Sequence, residues 1–175
     1  TADAGATTAE PLLRIENLRK TFKLDDGKIL SAVSDVSLTV MQGQSLGLVG
    51  ESGSGKTTVG RLILRLLDAD EGSIWFRDTE LTSMKTREFR DFRSKIQVVF
   101  QDPFDSLNPR WSVEKAIAEP IDLHMKMSKD EKRLRITELL EQVGLPESIR
   151  TVKPAGLSAG QQQRVCLARA LSTNP

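Results

Sequence analysis

Gly50-Glu51-Ser52-Gly53-Ser54-Gly55-Lys56-Thr57-Thr58 sets three glycines ahead of a lysine and two threonines. Before it, Ser45 to Val49 is a short apolar run with the character of a strand; after it, Val59, Leu62, Ile63, Leu66 and Leu67 recur at helical spacing and mark one face of a helix. Strand, glycine-rich turn and amphipathic helix, in that order, make an anion cradle. The glycines let backbone N–H groups turn inward in conformations that a side chain would block. The helix adds unpaired N–H groups and the positive end of its dipole, so several negative charges can be held without net protein charge. In such a cradle Lys56 reaches the β and γ phosphates of a nucleotide, and the Thr57 hydroxyl sits on Mg²⁺. Two glycines at this spacing followed by Lys and then Ser or Thr arise by chance in on the order of 1% of chains this long.

Toward the N-terminus, Leu13 and Ile15 alternate with polar residues, Asp25-Asp26-Gly27 is a turn signal, and Val36, Leu38 and Val40 alternate again before Gly43. That is an antiparallel β beginning. The small, polar residues 1–11, with no apolar period, are expected to form a disordered lead. Beyond the cradle, Asp70-Glu71-Gly72 turns into a short strand from Ser73 to Phe76. A charged helical stretch follows from Thr86 to Arg93, then a β-branched strand from Ile96 to Phe100. A Pro- and Asn-containing loop, Gln101 to Arg110, ends the strand signals, and from Ser112 the pattern is helical. Ser128 and Glu131 form a capping box, and Ile136, Leu139, Leu140 and Val143 an apolar face that stops at Gly144. Ser158 can cap a last helix carrying Val165, Ala168 and Leu171. The expected organisation is an α/β part over 12–101, an inserted helical part over 102–157, and a returning helix over 158–175.

Composition narrows the function. Among 175 residues, 25 Lys and Arg face 24 Asp and Glu, and a net charge of +1 gives no global field for nucleic acid or anionic lipid. Arg61, Arg65, Arg87, Arg90 and Arg93 fall at the spacings of solvated helix faces without interleaved aromatics, so no nucleic acid is expected as partner. The single Cys166 excludes an internal disulfide and reads as a packed helix residue; Met125 and Met127 read as gap fillers, and His124 as a surface residue. No apolar run approaches the roughly 18 residues that span a bilayer, and no basic segment leads into an apolar stretch at the start.

Glu51 to Thr58 (ESGSGKTT), Gln97 to Arg110 (QVVFQDPFDSLNPR) and Leu157 to Leu171 (LSAGQQQRVCLARAL) together resemble the ATP-binding subunits of ABC transporters, most closely those of di- and oligopeptide importers. The likeness runs from about Leu12 to Pro175 and rests on three motifs in the family's order. It implies an α/β P-loop NTPase fold with an antiparallel β subdomain and an inserted helical subdomain. The implied cofactors are ATP and Mg²⁺. ATP would be held by Phe22, Gly50, Glu51, Ser52, Gly53, Ser54, Gly55, Lys56, Thr57 and Thr58, with Phe22 stacking on the adenine. Lys56 and Gln101 would act in catalysis, Thr57 and Gln101 on the metal. Ser158, Ala159, Gly160 and Gln161 would bind the γ-phosphate held by a second ATP-binding subunit in a head-to-tail dimer. The loop 101–110 and the helical part would dock transmembrane permease subunits, placing the protein in the cytoplasm on the inner face of the cell membrane.

The chain also departs from the family. Ala159 stands where the family usually has Gly, which adds a methyl group close to an approaching phosphate. After Pro175 the family would continue into an apolar strand ending in Asp-Glu, with a later His, so these 175 residues are expected to bind ATP without hydrolysing it alone. A non-hydrolysing ATP-binding module and an ABC ATPase of DNA repair or translation are the alternatives.

Overall fold

The computed structural model describes residues 10–101 and 106–175. Most of the expected lead (1–9) and part of the loop after Gln101 (102–105) lie outside the described residues. The contacts divide the chain into two compact units, one up to Phe89 and one from Arg90.

The first unit is built on two long strands, β1 (Pro11–Lys23) and β2 (Ile29–Met41), joined by the Asp25-Asp26-Gly27 turn. β3 (Glu71–Phe76) pairs antiparallel with the other edge of β1, and the two-residue β4 (Thr79–Glu80) with β3, giving the order β2-β1-β3-β4. Period-two alternation would put Ile15 and Leu18 on opposite faces, yet both are buried. A register shift between them resolves this: Asn17 takes φ 49°, Asp35 on β2 takes φ 57°, and the Asn17 side-chain amide donates to the Asp35 carboxylate at 3.1 Å. β3 approaches β1 closely at Gly72, where φ is 87° and a Cβ would stand 2.5 Å from the carbonyl oxygens of Glu16 and Asn17. Only glycine fits there. Helix α1 (Lys56–Ile63) buries Val59 and Leu62; α2 (Thr86–Phe92) runs across the boundary at Phe89 and Arg90 and has Phe89 and Phe92 buried.

The second unit is helical. α3 (Val113–His124), α4 (Lys129–Gln142) and α5 (Ala159–Leu171) enclose one apolar cluster in which Val113, Ile117, Ile121, Ile136, Leu139, Leu140 and Val165 are at most 1% exposed. The capping box is present at the start of α4: the Glu131 N–H donates to the Ser128 hydroxyl and the Ser128 N–H to the Glu131 carboxylate.

Two expected strands are absent. Residues 45–49 and 96–100 pair with no strand among the described residues. Instead Leu46, Leu48, Val49, Val98, Val99 and Phe100 are exposed, Val49 at 95%. A strand is held by backbone bonds to a neighbour, and an apolar run signals the strand's own character without supplying that neighbour.

Candidate functional site

Helix α1 begins without a side-chain cap and without an acidic residue in its first turn. Its first ladder bond is Val59 N–H to Gly55 carbonyl at 2.9 Å, so the N–H groups of Lys56, Thr57 and Thr58 have no acceptor within the helix. Gly55, with φ 90°, is required twice over: a Cβ would stand 2.1 Å from the Ala32 carbonyl oxygen of β2. The loop is thereby seated on the β2 backbone. Lys56 folds back across the loop and donates to the carbonyls of Gly50 (2.7 Å) and Glu51 (2.5 Å) and to the Ser54 hydroxyl (3.1 Å). An ammonium satisfied by loop oxygens can exchange them for phosphate oxygens with little loss of hydrogen bonding.

A cavity of about 230 Å³ opens beside this helix start, lined by Phe22, Leu30, Ser31, Ala32, Gly53, Gly55, Lys56, Thr57 and Thr58. The strand-borne Phe22 and the loop are thus brought together. Gly50, Glu51, Ser52 and Ser54 are exposed parts of the loop that do not line the cavity. Leu30, Ser31 and Ala32 were missed in the sequence. The signal was the turn: counting outward from Asp26 sets Leu30 opposite Phe22 and Ser31 opposite Thr21, as the strands pair.

In the second unit, Ser158, Ala159 and Gly160 are exposed at the start of α5. The Ser158 hydroxyl accepts from Gln161 N–H at 3.3 Å, and the Gln161 side-chain oxygen accepts from Ser158 N–H at 2.9 Å. This box uses neutral Gln where the box on α4 uses Glu, and a Cβ on Gly160 would meet no atom within 4 Å. Gln101 is an exposed residue in a bend. Cys166 is buried, which pushes its thiol pKa up against the opposing pull of Arg169. His124 is half-buried at the last position of α3.

The first turns of the α-helices fall into two kinds. α2 carries Glu88, α3 Glu114, and α4 Asp130 and Glu131, each an anion placed against the positive end of its helix. α1 and α5 carry none. Among the five α-helices of the described residues, these two have no acidic side chain in the first turn, and of the two only α5 carries a side-chain cap.

The sequence profile described as "ABC transporter" matches residues 33–175. A putative oligopeptide transport ATP-binding protein of Bacillus subtilis is 42% identical over 94% of this chain and 50% of its own length. A dipeptide transport ATP-binding protein of Lactococcus lactis is 41% identical over 97% of this chain and 55% of its own length. The chain thus spans about half the length of the curated relatives it matches. Among solved structures, a dimeric ATP-binding cassette in a post-hydrolysis state with ADP and Pi superposes with a TM-score of 0.85 at 33% identity, covering 93% of this chain and 70% of that one. With the profile matching most of its length, this chain belongs to the ABC transporter family.

Proposed function

We propose that the chain is the ATP-binding, energising part of an ABC importer for di- or oligopeptides or similar small solutes, an ATPase that couples hydrolysis to transport in the whole protein. The observation that carries the ATP site is the single cavity shared by an aromatic ring, a glycine loop and an uncapped, acid-free helix start. A purine ring can stack on Phe22 while its phosphates reach the N–H groups of Lys56, Thr57 and Thr58 and the Lys56 ammonium. The assignment to peptide import follows the relatives that the chain matches.

Mg²⁺ would be held by the Thr57 hydroxyl, a neutral oxygen donor that suits a hard cation already bound to phosphates. When bound, it neutralises charge on the phosphates and on the leaving group. Gln101 is assigned a part in catalysis on the family's pattern. Ser158, Ala159, Gly160 and Gln161 take the γ-phosphate of a second ATP-binding subunit, head to tail, so that ATP joins two subunits and its hydrolysis releases them. Permease subunits dock on the 101–110 loop and the helical unit, on the cytoplasmic face of the membrane.

Lys56→Ala tests the site. Removing the ammonium is expected to weaken Mg-ATP binding by about 100-fold, the loss of charge-assisted bonds to two phosphates. Titration calorimetry reads this directly, and unchanged affinity in a folded variant would sink the assignment.

A further inference from the structure

The part of β1 that carries Phe22 is a two-stranded ribbon. β1 bonds to β3 only as far as Arg19, opposite Glu71, while its pairing with β2 continues to Lys23 opposite Ile29. Beyond Arg19 one edge of β1 therefore has no strand beside it among the described residues, and an isolated two-stranded ribbon is marginal in water. Yet this ribbon supplies Phe22, Leu30, Ser31 and Ala32 to the cavity.

Asp70, one residue before β3, stands where the missing rung would be. Its own N–H donates to the Arg19 carbonyl at 3.0 Å. One carboxylate oxygen accepts from the Thr21 N–H at 2.7 Å and the Thr21 hydroxyl at 2.8 Å; the other accepts from the Lys20 ammonium at 2.7 Å. Four bonds from one residue thus bind three consecutive residues of β1, ending next to Phe22. Lys20 carries the restraint to the ring itself, since its ammonium lies 5.8 Å from the Phe22 centroid and its side chain is only 16% exposed.

We infer that Asp70 is a positioning residue of the nucleotide site: it continues the sheet past the end of β3 by one side-chain rung and so holds the Phe22 ring where a base can stack on it. This rests on Phe22 as the base platform and deepens that reading. The Lys20 ammonium, then the Thr21 N–H and hydroxyl, hold the Asp70 carboxyl down to about 2, so the rung is charged at any neutral pH. Nothing in the residue type announces this, because Asp before a strand-opening Glu-Gly reads as turn chemistry.

The test is a double-mutant cycle on affinity for Mg-bound AMP-PNP, measured by calorimetry on the protein, Asp70→Ala, Phe22→Ala and the pair. Asp70→Ala is expected to weaken binding about fivefold, the scale of one or two hydrogen bonds lost from a pre-organised wall. In the Phe22→Ala background it should cost nothing further, because a residue that acts through the ring has nothing left to position. Additive losses would overturn the inference, since they would mean general damage. So would full affinity in Asp70→Ala beside a weakened Phe22→Ala. If Phe22→Ala itself binds normally, the base-platform reading fails first and takes the inference with it. Should Asp70→Ala fail to fold, Asp70→Asn keeps an oxygen for the Thr21 N–H while losing the ion pair with Lys20. A smaller loss, again confined to proteins that retain Phe22, supports the inference, and no loss opposes it.

Discussion

Helix α3 starts with its backbone donors satisfied by protein, whereas α1 starts with them open. The Val113 N–H donates to the Val152 carbonyl at 2.9 Å, the Glu114 N–H to the Arg150 carbonyl at 3.0 Å, and the Lys115 N–H to the Ser112 hydroxyl at 3.3 Å; Glu114 adds a negative charge. At α1 the first three N–H groups have no acceptor in the helix, no side chain caps it, and the nearby cation is folded onto its own loop. A saturated helix start holds the fold together and can bind nothing. An unsaturated one contributes less to the fold and keeps its electrostatic potential for a ligand. Stability and binding should then respond to mutation in different places.

The strongest way to break this comparison is to cut the saturated region. Leu139 is fully buried in the cluster enclosed by α3, α4 and α5. Leu139→Ala is expected to cost about 3 kcal/mol in urea denaturation, the lost transfer energy plus a cavity. Lys56→Ala, at the half-buried first position of α1, should change stability by less than about 0.5 kcal/mol. If the two variants destabilised alike, the loop would be holding the fold and the comparison would fail.

Arg150 sharpens the same contrast. It is 7% exposed, and its guanidinium donates to Glu114 and Glu147, both at 2.8 Å, and to Thr137 at 3.0 Å. Burial alone would lower its pKa, but the bonds to Glu114 and Glu147 outweigh that and the net shift is upward. Arg150→Met should cost about 1–2 kcal/mol, toward the lower end for a buried ionic network because both glutamates are at least 41% exposed and can rehydrate. The same denaturation experiment measures it, and no loss would mean that the carbonyls of residues 150 and 152 close α3 unaided.

What the sequence revealed divides along the same line. The caps at Ser128 and Ser158, the ribbon turn at Asp25-Asp26-Gly27, and the apolar face of α4 were legible because each is a local pattern whose partner lies within a few residues. The start of α1 after Gly55 was legible for the same reason, since the glycine turn and the apolar face that follows it are local. The strands expected at 45–49 and 96–100 were misread because their pattern shows apolarity without a partner. The register shift at Asn17, and the rung from Asp70 to Thr21 across 49 residues, escaped because each depends on which strand lies alongside. Leu30 lay between these cases, since its place opposite Phe22 follows from the turn by counting. The absence of acid from the first turns of α1 and α5 was legible in principle, once the helix starts were known.

That absence supports the smallest and most discriminating prediction. If the positive end of α5 is kept open for phosphate, an acid placed there should help the fold and harm binding. Ala159 is the first residue of α5 and is exposed, so Ala159→Asp adds a negative charge without crowding the core. The charge–dipole interaction should stabilise the protein by about 0.5 kcal/mol at low salt and fade as salt screens it. In a head-to-tail dimer the same carboxylate would face the γ-phosphate held by the other subunit, and ATP-driven dimerisation, followed by light scattering, should fall steeply. Ala159→Asn, which is uncharged, separates charge from bulk and should retain most of the dimerisation. A gain in stability with dimerisation unchanged would mean that α5 is merely an uncompensated helix. The proposed link between an acid-free first turn and a phosphate site would then rest on α1 alone.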